Sequence, residues 1–246
     1  MYPPPVNRYS LGPGVIADAQ RALWIEEFRT LIVADVHLGH LWVERQRGAL
    51  LPIVPDDTLE RLLLLRREYS PRGWIFLGDT VHAPARLTVL EEELHRVIQT
   101  LRSGDEPDMH FVLGNHDRHL GEMLERLGLS ARCVHEHVLG DHVLVHGDTH
   151  TWQALQPWVG PHGRVIHGHQ HPALLFSDGI ATTVKAPCFL VSQRRFVLPA
   201  FSRWAAHVPW DAQPPLSPLT ADDPPEAAVA ILGDRLLPMD LRSDVR

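Results

Sequence analysis

Five short blocks bring together the residue types that bind metal ions. They are Asp35-Val36-His37, Gly78-Asp79, Gly114-Asn115-His116-Asp117, His146-Gly147-Asp148 and Gly168-His169-Gln170-His171. Their donors are imidazole nitrogen and carboxylate or amide oxygen, the set that suits Mn²⁺, Fe²⁺ or Zn²⁺. Each block alone has a plain explanation. Gly-Asp after a strand is usually a turn. A single His in a strand is commonly a half-buried polar residue, and His169 and His171, two apart, fit one face of a polar strand. The set is another matter. Gly-Asn-His-Asp already fixes four positions, and its occurrence in order with the other four blocks is not coincidence. The chain holds 17 histidines, and those that matter are the ones beside Asp, Asn and Gly at expected strand ends.

Hydrophobic periodicity supplies the elements that must position the blocks. Leu31 to Ala34 is a compact apolar run ending in Asp35 and reads as a buried strand. Pro55-Asp56-Asp57-Thr58 opens a helical pattern with Leu59, Leu62, Leu63 and Arg66 on successive turns, its acidic start suiting a helix N-terminus. Trp74 to Leu77 is the next strand. Leu87 to Leu101 is a second helix, with Leu90, Leu94, Val97, Ile98 and Leu101 on one face. Met109 to Leu113 is a third strand. Residues 12–25 suggest a hairpin. Strand and helix alternate through this half, which predicts βαβ units. After residue 133 the pattern turns to short strands (134–139, 142–146, 165–167, 174–176, 182–184, 189–191, 196–198) with little helix between. The expected class is α/β, becoming α+β in the second half: a four-layer αββα sandwich of two mixed β-sheets flanked by helices, in one domain over 1–205. Six prolines between Pro209 and Pro225 mark 206–226 as an extended or mobile linker. Residues 227–246 read as a β-hairpin and tail packing back on the domain, since Gly233-Asp234 separates two apolar runs.

The 246 residues and 44% apolar content suit a globular chain. No stretch approaches the roughly 20 apolar residues of a spanning helix, so no membrane association is expected. The first eleven residues lack the apolar core of a secretory signal. Two cysteines, Cys133 and Cys188, make no disulfide framework and read as core residues of a cytoplasmic protein. A net charge of −7 argues against binding nucleic acid by an overall positive field. All basic residues but Lys185 are arginine, which fits a GC-rich genome or phosphate recognition by guanidinium forks.

Over about residues 31–172 the chain resembles the calcineurin-like binuclear metallophosphoesterases, whose pattern D-x-H, G-D, G-N-H-D/E, H, G-H-x-H is intact. The resemblance implies two divalent ions. One takes Asp35, His37 and His171, the other Asn115, His146 and His169, and Asp79 bridges them. Two carboxylates against two divalent cations leave about +2, the sign that attracts a phosphate ester. A metal-bridging hydroxide is then implied to attack phosphorus in line. His116 is implied to contact the phosphate and help the leaving oxygen depart, with Asp117 as its orienting acid. Such acid–base assistance is typically worth roughly 10²–10⁴-fold.

Further matches narrow the branch. Asp35-Val-His-Leu-Gly39, Gly78-Asp-Thr-Val-His82, Gly114-Asn-His-Asp-Arg118, Gly168-His-Gln-His-Pro172 and Lys185-Ala-Pro-Cys-Phe-Leu190 are similar to the bacterial DNA-ligase-associated metallophosphoesterases, encoded with a DNA helicase and a DNA ligase in repair clusters. This implies manganese-dependent endonuclease cleavage of single-stranded DNA. His40 stands where that branch suggests Lys or Tyr. Candidate substrate contacts are His40, Arg45, Arg47, Arg118 and His119, since a guanidinium fork can hold a flanking phosphate. Trp42, Trp152 and Trp158 are candidates for stacking on bases. His82 and His167 read as supporting residues. The alternative substrates are a small cyclic nucleotide or a nucleotide-linked lipid. A lipid needs an apolar cap, for which Leu38, Leu41, Trp42, Leu50 and Leu51 are the candidates. A non-enzymatic scaffold is the third reading; it gains weight when a ligand is missing, and none is.

Overall fold

The computed structural model describes residues 6–50, 56–82, 88–102, 106–129, 131–212, 214–220 and 223–242. Four strands open the fold as an antiparallel meander: β1 (Arg8–Gly12), β2 (Val15–Asp18), β3 (Ala22–Ile25) and β4 (Thr30–Ala34). Helices α1 (His40–Gln46) and α2 (Thr58–Tyr69) lead to β5 (Gly73–Leu77). Helix α3 (Thr88–Arg102) leads to β6 (Asp108–Val112), and α4 (Leu120–Arg126) to β7 (Arg132–Val134). From β4 onward these strands are parallel, and together they make one seven-stranded sheet in sequence order.

The second sheet has nine strands. It contains β8 (Glu136–Leu139), β9 (His142–Val145), β10 (Val165–His167), β11 (Pro172–Ser177), β12 (Thr183–Val191), β13 (Arg195–Val197), β14 (Val208–Pro209), β15 (Ala227–Leu232) and β16 (Arg235–Asp240). Strands β9, β10 and β13 are parallel. The hairpin β15–β16 adds to the second sheet by antiparallel pairing of β15 with β12.

The two sheets face each other across one apolar layer. Ile32, Ile75 and Val112 from the first meet Leu144, Ile166, Phe189 and Phe196 from the second. Fully burying such side chains stabilises by roughly 1.5–3 kcal/mol each. The outer face of the first sheet carries Trp74, Phe76 and Phe111, covered by Leu62, Leu65, Leu94 and Ile98 of α2 and α3. The face read for α3 is the buried one, though Leu87 lies outside the described residues. In α2 the buried face is rotated to Arg61, Leu62 and Leu65. Arg61 is accepted there because Nε donates to Asp57 Oδ1 (3.1 Å), Nη2 donates to the Phe201 carbonyl (2.6 Å), and the guanidinium lies over the Phe201 ring. The fourth layer is thin. Short helix α5 (Trp152–Leu155) and Leu219, in a 3-10 turn at Pro218–Thr220, cover Val143, Val145 and Val165.

Of the two alternatives for 206–226, extended or mobile, the hydrogen bonds of its described residues favour the extended one. Val208 N donates to the His171 carbonyl (2.9 Å) and Trp210 N to the Ala173 carbonyl (3.0 Å). Asp223 accepts from Arg195 Nε (3.0 Å), which is almost fully buried. Proline's fixed φ lets such a segment lie extended at a reduced entropic cost.

Candidate metal centre

All the predicted metal-binding blocks sit where parallel strands end. Asp35 and His37 follow β4, Asp79 follows β5, Asn115 and His116 follow β6, His146 follows β9, and His169 and His171 follow β10. Carboxyl ends of strands are the usual binding edge of such sheets. The chain crosses between the sheets at this edge. Leu198 N donates to the His167 carbonyl in the second sheet, and Phe201 N donates to the Ala34 carbonyl in the first.

The local backbone is shaped for convergence rather than comfort. Asp35, His37, Asp79, His169 and His171 all have φ between 45° and 62°. Left-handed backbone at a non-glycine residue costs about 1–2 kcal/mol each, and such outliers gather at functional sites. Gly78 and Gly168 permit the close approach. A Cβ on Gly78 would lie 2.0 Å from His146 Nδ1, and one on Gly168 would lie 2.5 Å from Asp35 Oδ2.

Three groups of donors result among the described residues: one is His37, His82 and His116, and the other two each hold a carboxylate. In one of those two, Asp35, His37 and His171 each place a ligand atom within 4.8 Å of the others; in the second, Asp79, His146 and His169 do the same. Asn115 Oδ1 is 3.1 Å from His146 Nε2, which is also 3.1 Å from His169 Nδ1 and 3.4 Å from Asp79 Oδ2. His146 Nδ1 lies 3.7 Å from Asp35 Oδ1, so the two groups adjoin. The backbone ties them too: His169 N donates to Asp35 Oδ2 (3.0 Å) and His116 N to Asp79 Oδ1 (2.8 Å).

These residues fit a pair of divalent ions on their own chemistry. Asp35 Oδ1, His146 Nδ1 and His171 Nε2 are buried without a hydrogen-bond partner, a costly state that a cation relieves. His171 Nδ1 donates to the Ala206 carbonyl (3.1 Å), which fixes the ring with Nε2 facing Asp35 at 3.3 Å. Burial works against charge on Asp35, but His171 and His146 outweigh it and hold the carboxyl below its ordinary range. Asp79 is likewise held low, with His146 overcoming burial. Burial also opposes charge on His146, yet Asp79 and Asp35 push that ring up to about 9. His37 goes the other way: burial holds it neutral, down to about 3, despite both carboxylates.

A second row of imidazoles flanks the donors. His82 Nδ1 lies 3.4 Å from His37 Nδ1 and 3.1 Å from His40 Nδ1, and His82 Nε2 faces Glu44 Oε1 at 3.4 Å. His116 Nδ1 donates to the His82 carbonyl (2.6 Å). That fixes the proton on Nδ1 and leaves Nε2 facing the site, 3.9 Å from Asp79 Oδ2. The orienting group of His116 is therefore a backbone carbonyl, which corrects the expectation that Asp117 takes that part. Asp117 instead accepts from Val81 N (3.1 Å) and Gly114 N (3.0 Å), clamping the Asp79 and Asn115 loops together. Burial and the Asp79 charge push its carboxyl up to about 7.

The candidate substrate contacts divide. His40 faces His82 beside the donors. Arg118 and Arg45 are exposed. Arg47 pairs with Glu44 (2.7 Å), and His119 faces Glu122 at 3.8 Å. Trp42 and Trp158 are exposed, whereas Trp152 packs on the Val143 cluster under Arg194. Lys185 carried no signal for this role. Its Nζ donates to the carbonyl of His207, a ring that burial, then Arg21 and then His171 push down to about 4.

His167, behind the donors, is fully buried and held neutral, with its titration pushed down to about 3 by burial and by Arg195. Below its ordinary value of 6.5 the unfolded chain binds a proton that the folded ring refuses. The metal-free protein therefore loses stability as pH falls from about 6.5 toward 3, by up to about 1.4 kcal/mol per pH unit from this ring. Urea midpoints across that range check this, and His167→Gln flattens the dependence.

A nuclease from Pseudomonas putida, MPE, superposes with a TM-score of 0.65 at 22% identity, covering 97% of this chain and 100% of that one. The two chains share a fold. A phosphoesterase from E. coli, Yfce, superposes more loosely, with a TM-score of 0.35 at 17% identity over 84% of this chain and 90% of that one. No protein-family model and no curated protein matches the chain. Among the described residues no helix is long and apolar enough to cross a membrane.

Proposed function

We propose that this chain is a dinuclear-metal-dependent phosphodiesterase, and that its substrate is single-stranded DNA cut internally. The observation that carries the reading is the convergence of seven donors from both sheets on one edge, five of them in left-handed backbone. Asp35, His37 and His171 would hold one ion and Asn115, His146 and His169 the other, with Asp79 available to both. Two divalent ions in such a site neutralise phosphate charge and make a shared water acidic near neutral pH. The donor set accommodates Mn²⁺, Fe²⁺ or Zn²⁺, and manganese is favoured on the motif resemblance.

The protein's own groups do the rest. Asp35 and Asp79 supply only two negative charges, so the loaded centre stays positive and draws a phosphodiester despite the chain's net −7. His116, its Nδ1 proton held by the His82 carbonyl, presents Nε2 to the leaving oxygen; as the doubly protonated imidazolium it can give the Nε2 proton to that oxygen and is left as the neutral Nδ1–H ring. His40 and Arg118 stand beside this edge to meet flanking phosphates. The likeness in fold to a nuclease supports a nucleic-acid substrate. The repair setting, with a DNA helicase and a DNA ligase encoded nearby, rests on the motif resemblance. The two free cysteines, one buried and one half-buried, fit a reducing cytoplasm. Of the apolar cap that a lipid substrate needs, Leu38 is buried in the first-sheet core, whereas Trp42 and Leu50 are exposed. Leu51, another cap candidate, lies outside the described residues.

The test is incision of a closed single-stranded DNA circle by protein stripped with chelator and then given Mn²⁺. The wild type linearises the circle and the chelated protein does not. Hydrolysis of bis-(p-nitrophenyl) phosphate without incision moves the substrate to a small nucleotide. Failure on both overturns the phosphodiesterase reading.

A further inference from the structure

The proline-rich segment that starts with β14 and leads to β15 touches the metal loops at three points. Val208 N donates to the carbonyl of His171. Ser217 N donates to Gln170 Oε1 (3.0 Å), and Gln170 stands between His169 and His171. Ser217 Oγ donates to the carbonyl of Gly147 (2.5 Å), next to His146, and accepts from Leu219 N (3.3 Å). Ser217 and Gln170 are 0% and 1% exposed. One serine thus bonds both loops through which the second sheet delivers its three donors.

The segment is held at both ends of this latch. Leu219 sits in the apolar cluster beneath β9 and β10, the strands that end in those loops. Asp223 accepts from Arg195, from Ser192 Oγ and from Arg194 N. Between segment and sheet lies a cavity of about 290 Å³, lined by Gln170, Arg195, Trp210, Pro215, Thr220 and Pro225. Close packing does not hold the segment over its whole length. The hydrogen bonds therefore set its position relative to the loops.

We propose that Ser217 is a positioning residue for the metal centre, and that the described residues 208–212 and 214–220, with Asp223, act as a strap fixing the His146 and His169–His171 loops at the spacing two ions need. The inference rests on the metal reading of the site and not on the choice of substrate. Groups that orient ligands are typically worth roughly 10–100-fold in metal affinity. The strap supplies such support to the second-sheet loops, whereas the His82 carbonyl and Asp117 bond the loops of the first sheet.

The test titrates Mn²⁺ alone into metal-free full-length protein by calorimetry, with urea unfolding of each metal-free variant alongside. Ser217→Ala binds Mn²⁺ about 10–100-fold more weakly per folded molecule. Ser217→Cys, which keeps a weak donor, falls between it and wild type. Leu216→Ser, at an exposed neighbour, binds as wild type does. Wild-type affinity in folded Ser217→Ala overturns the proposal. So does a loss confined to urea stability, since that is all a purely structural contact moves. If Ser217→Ala does not fold, Gln170→Leu and Ser217→Cys decide by the same criterion. Absence of Mn²⁺ binding in wild type overturns the metal reading itself, a distinct result.

Discussion

His146→Ala abolishes turnover and leaves the protein unable to hold two ions. The loss exceeds the roughly 10–100-fold that follows when a group merely supporting a ligand is removed. His146 lies within 3.1–3.7 Å of four other candidate ligands: Asn115, His169, Asp79 and Asp35. It is the point at which donors from the two sheets meet. In the metal-free protein it is also the cation between two buried carboxylates, so its removal leaves Asp35 and Asp79 facing each other with less compensation. An uncompensated buried charge is expensive, and the metal-free variant melts lower than metal-free wild type. Calorimetry should find fewer than two Mn²⁺ per chain. Asn115→Ala loses metal and turnover in the same way with a smaller cost in stability, because Asn115 is exposed and uncharged.

His116→Ala lowers the rate about 10²–10⁴-fold and spares the metals. Its Nε2 is 3.9 Å from Asp79 Oδ2, and its Nδ1 is spent on the His82 carbonyl. The ring thus has one free nitrogen, at the mouth of the site, and no buried donor position to vacate. If it protonates the leaving oxygen, the loss shrinks for bis-(p-nitrophenyl) phosphate, whose leaving group needs no proton, and stays large for DNA. Two bound Mn²⁺ in the variant, with a substrate-dependent loss in rate, is the expected pair of results. Metal loss equal to that of His146→Ala removes the role given to His116.

The candidate ligands were legible because each is a chemically distinctive residue fixed at a strand end by its glycine and its periodic run. The helices on the first sheet were legible where their stripe was long, as in α3. Helices α1 and α4 were not: seven residues each is too short for periodicity to speak. The buried face of α2 was misplaced because four consecutive leucines, Leu62 to Leu65, fit several rotations. What decides among them is Arg61, whose partners Asp57 and Phe201 lie both near and far in sequence. The partner of His116 was out of reach for the same reason, since a carbonyl at residue 82 has no side-chain signature. Proline density in 209–225 suits a segment that is extended or mobile, and composition alone does not say which; the hydrogen bonds at its ends do. Nothing local in Pro215-Leu-Ser-Pro218 announces that its serine meets Gly147 and Gln170.

The division of the donors between the sheets reaches beyond catalysis. Asp35, His37, Asp79 and Asn115 belong to the first sheet, and His146, His169 and His171 to the second. Ions seated among them would rivet the halves of the molecule across an apolar seam, adding to burial and to the few backbone bonds that cross it, such as Phe201 N to the Ala34 carbonyl. Ligand binding of this kind stabilises the native state in proportion to supply. In a cell starved of the metal the protein is idle and also easier to pry open, and proteases remove what opens. Activity and abundance then rise and fall with the same ion.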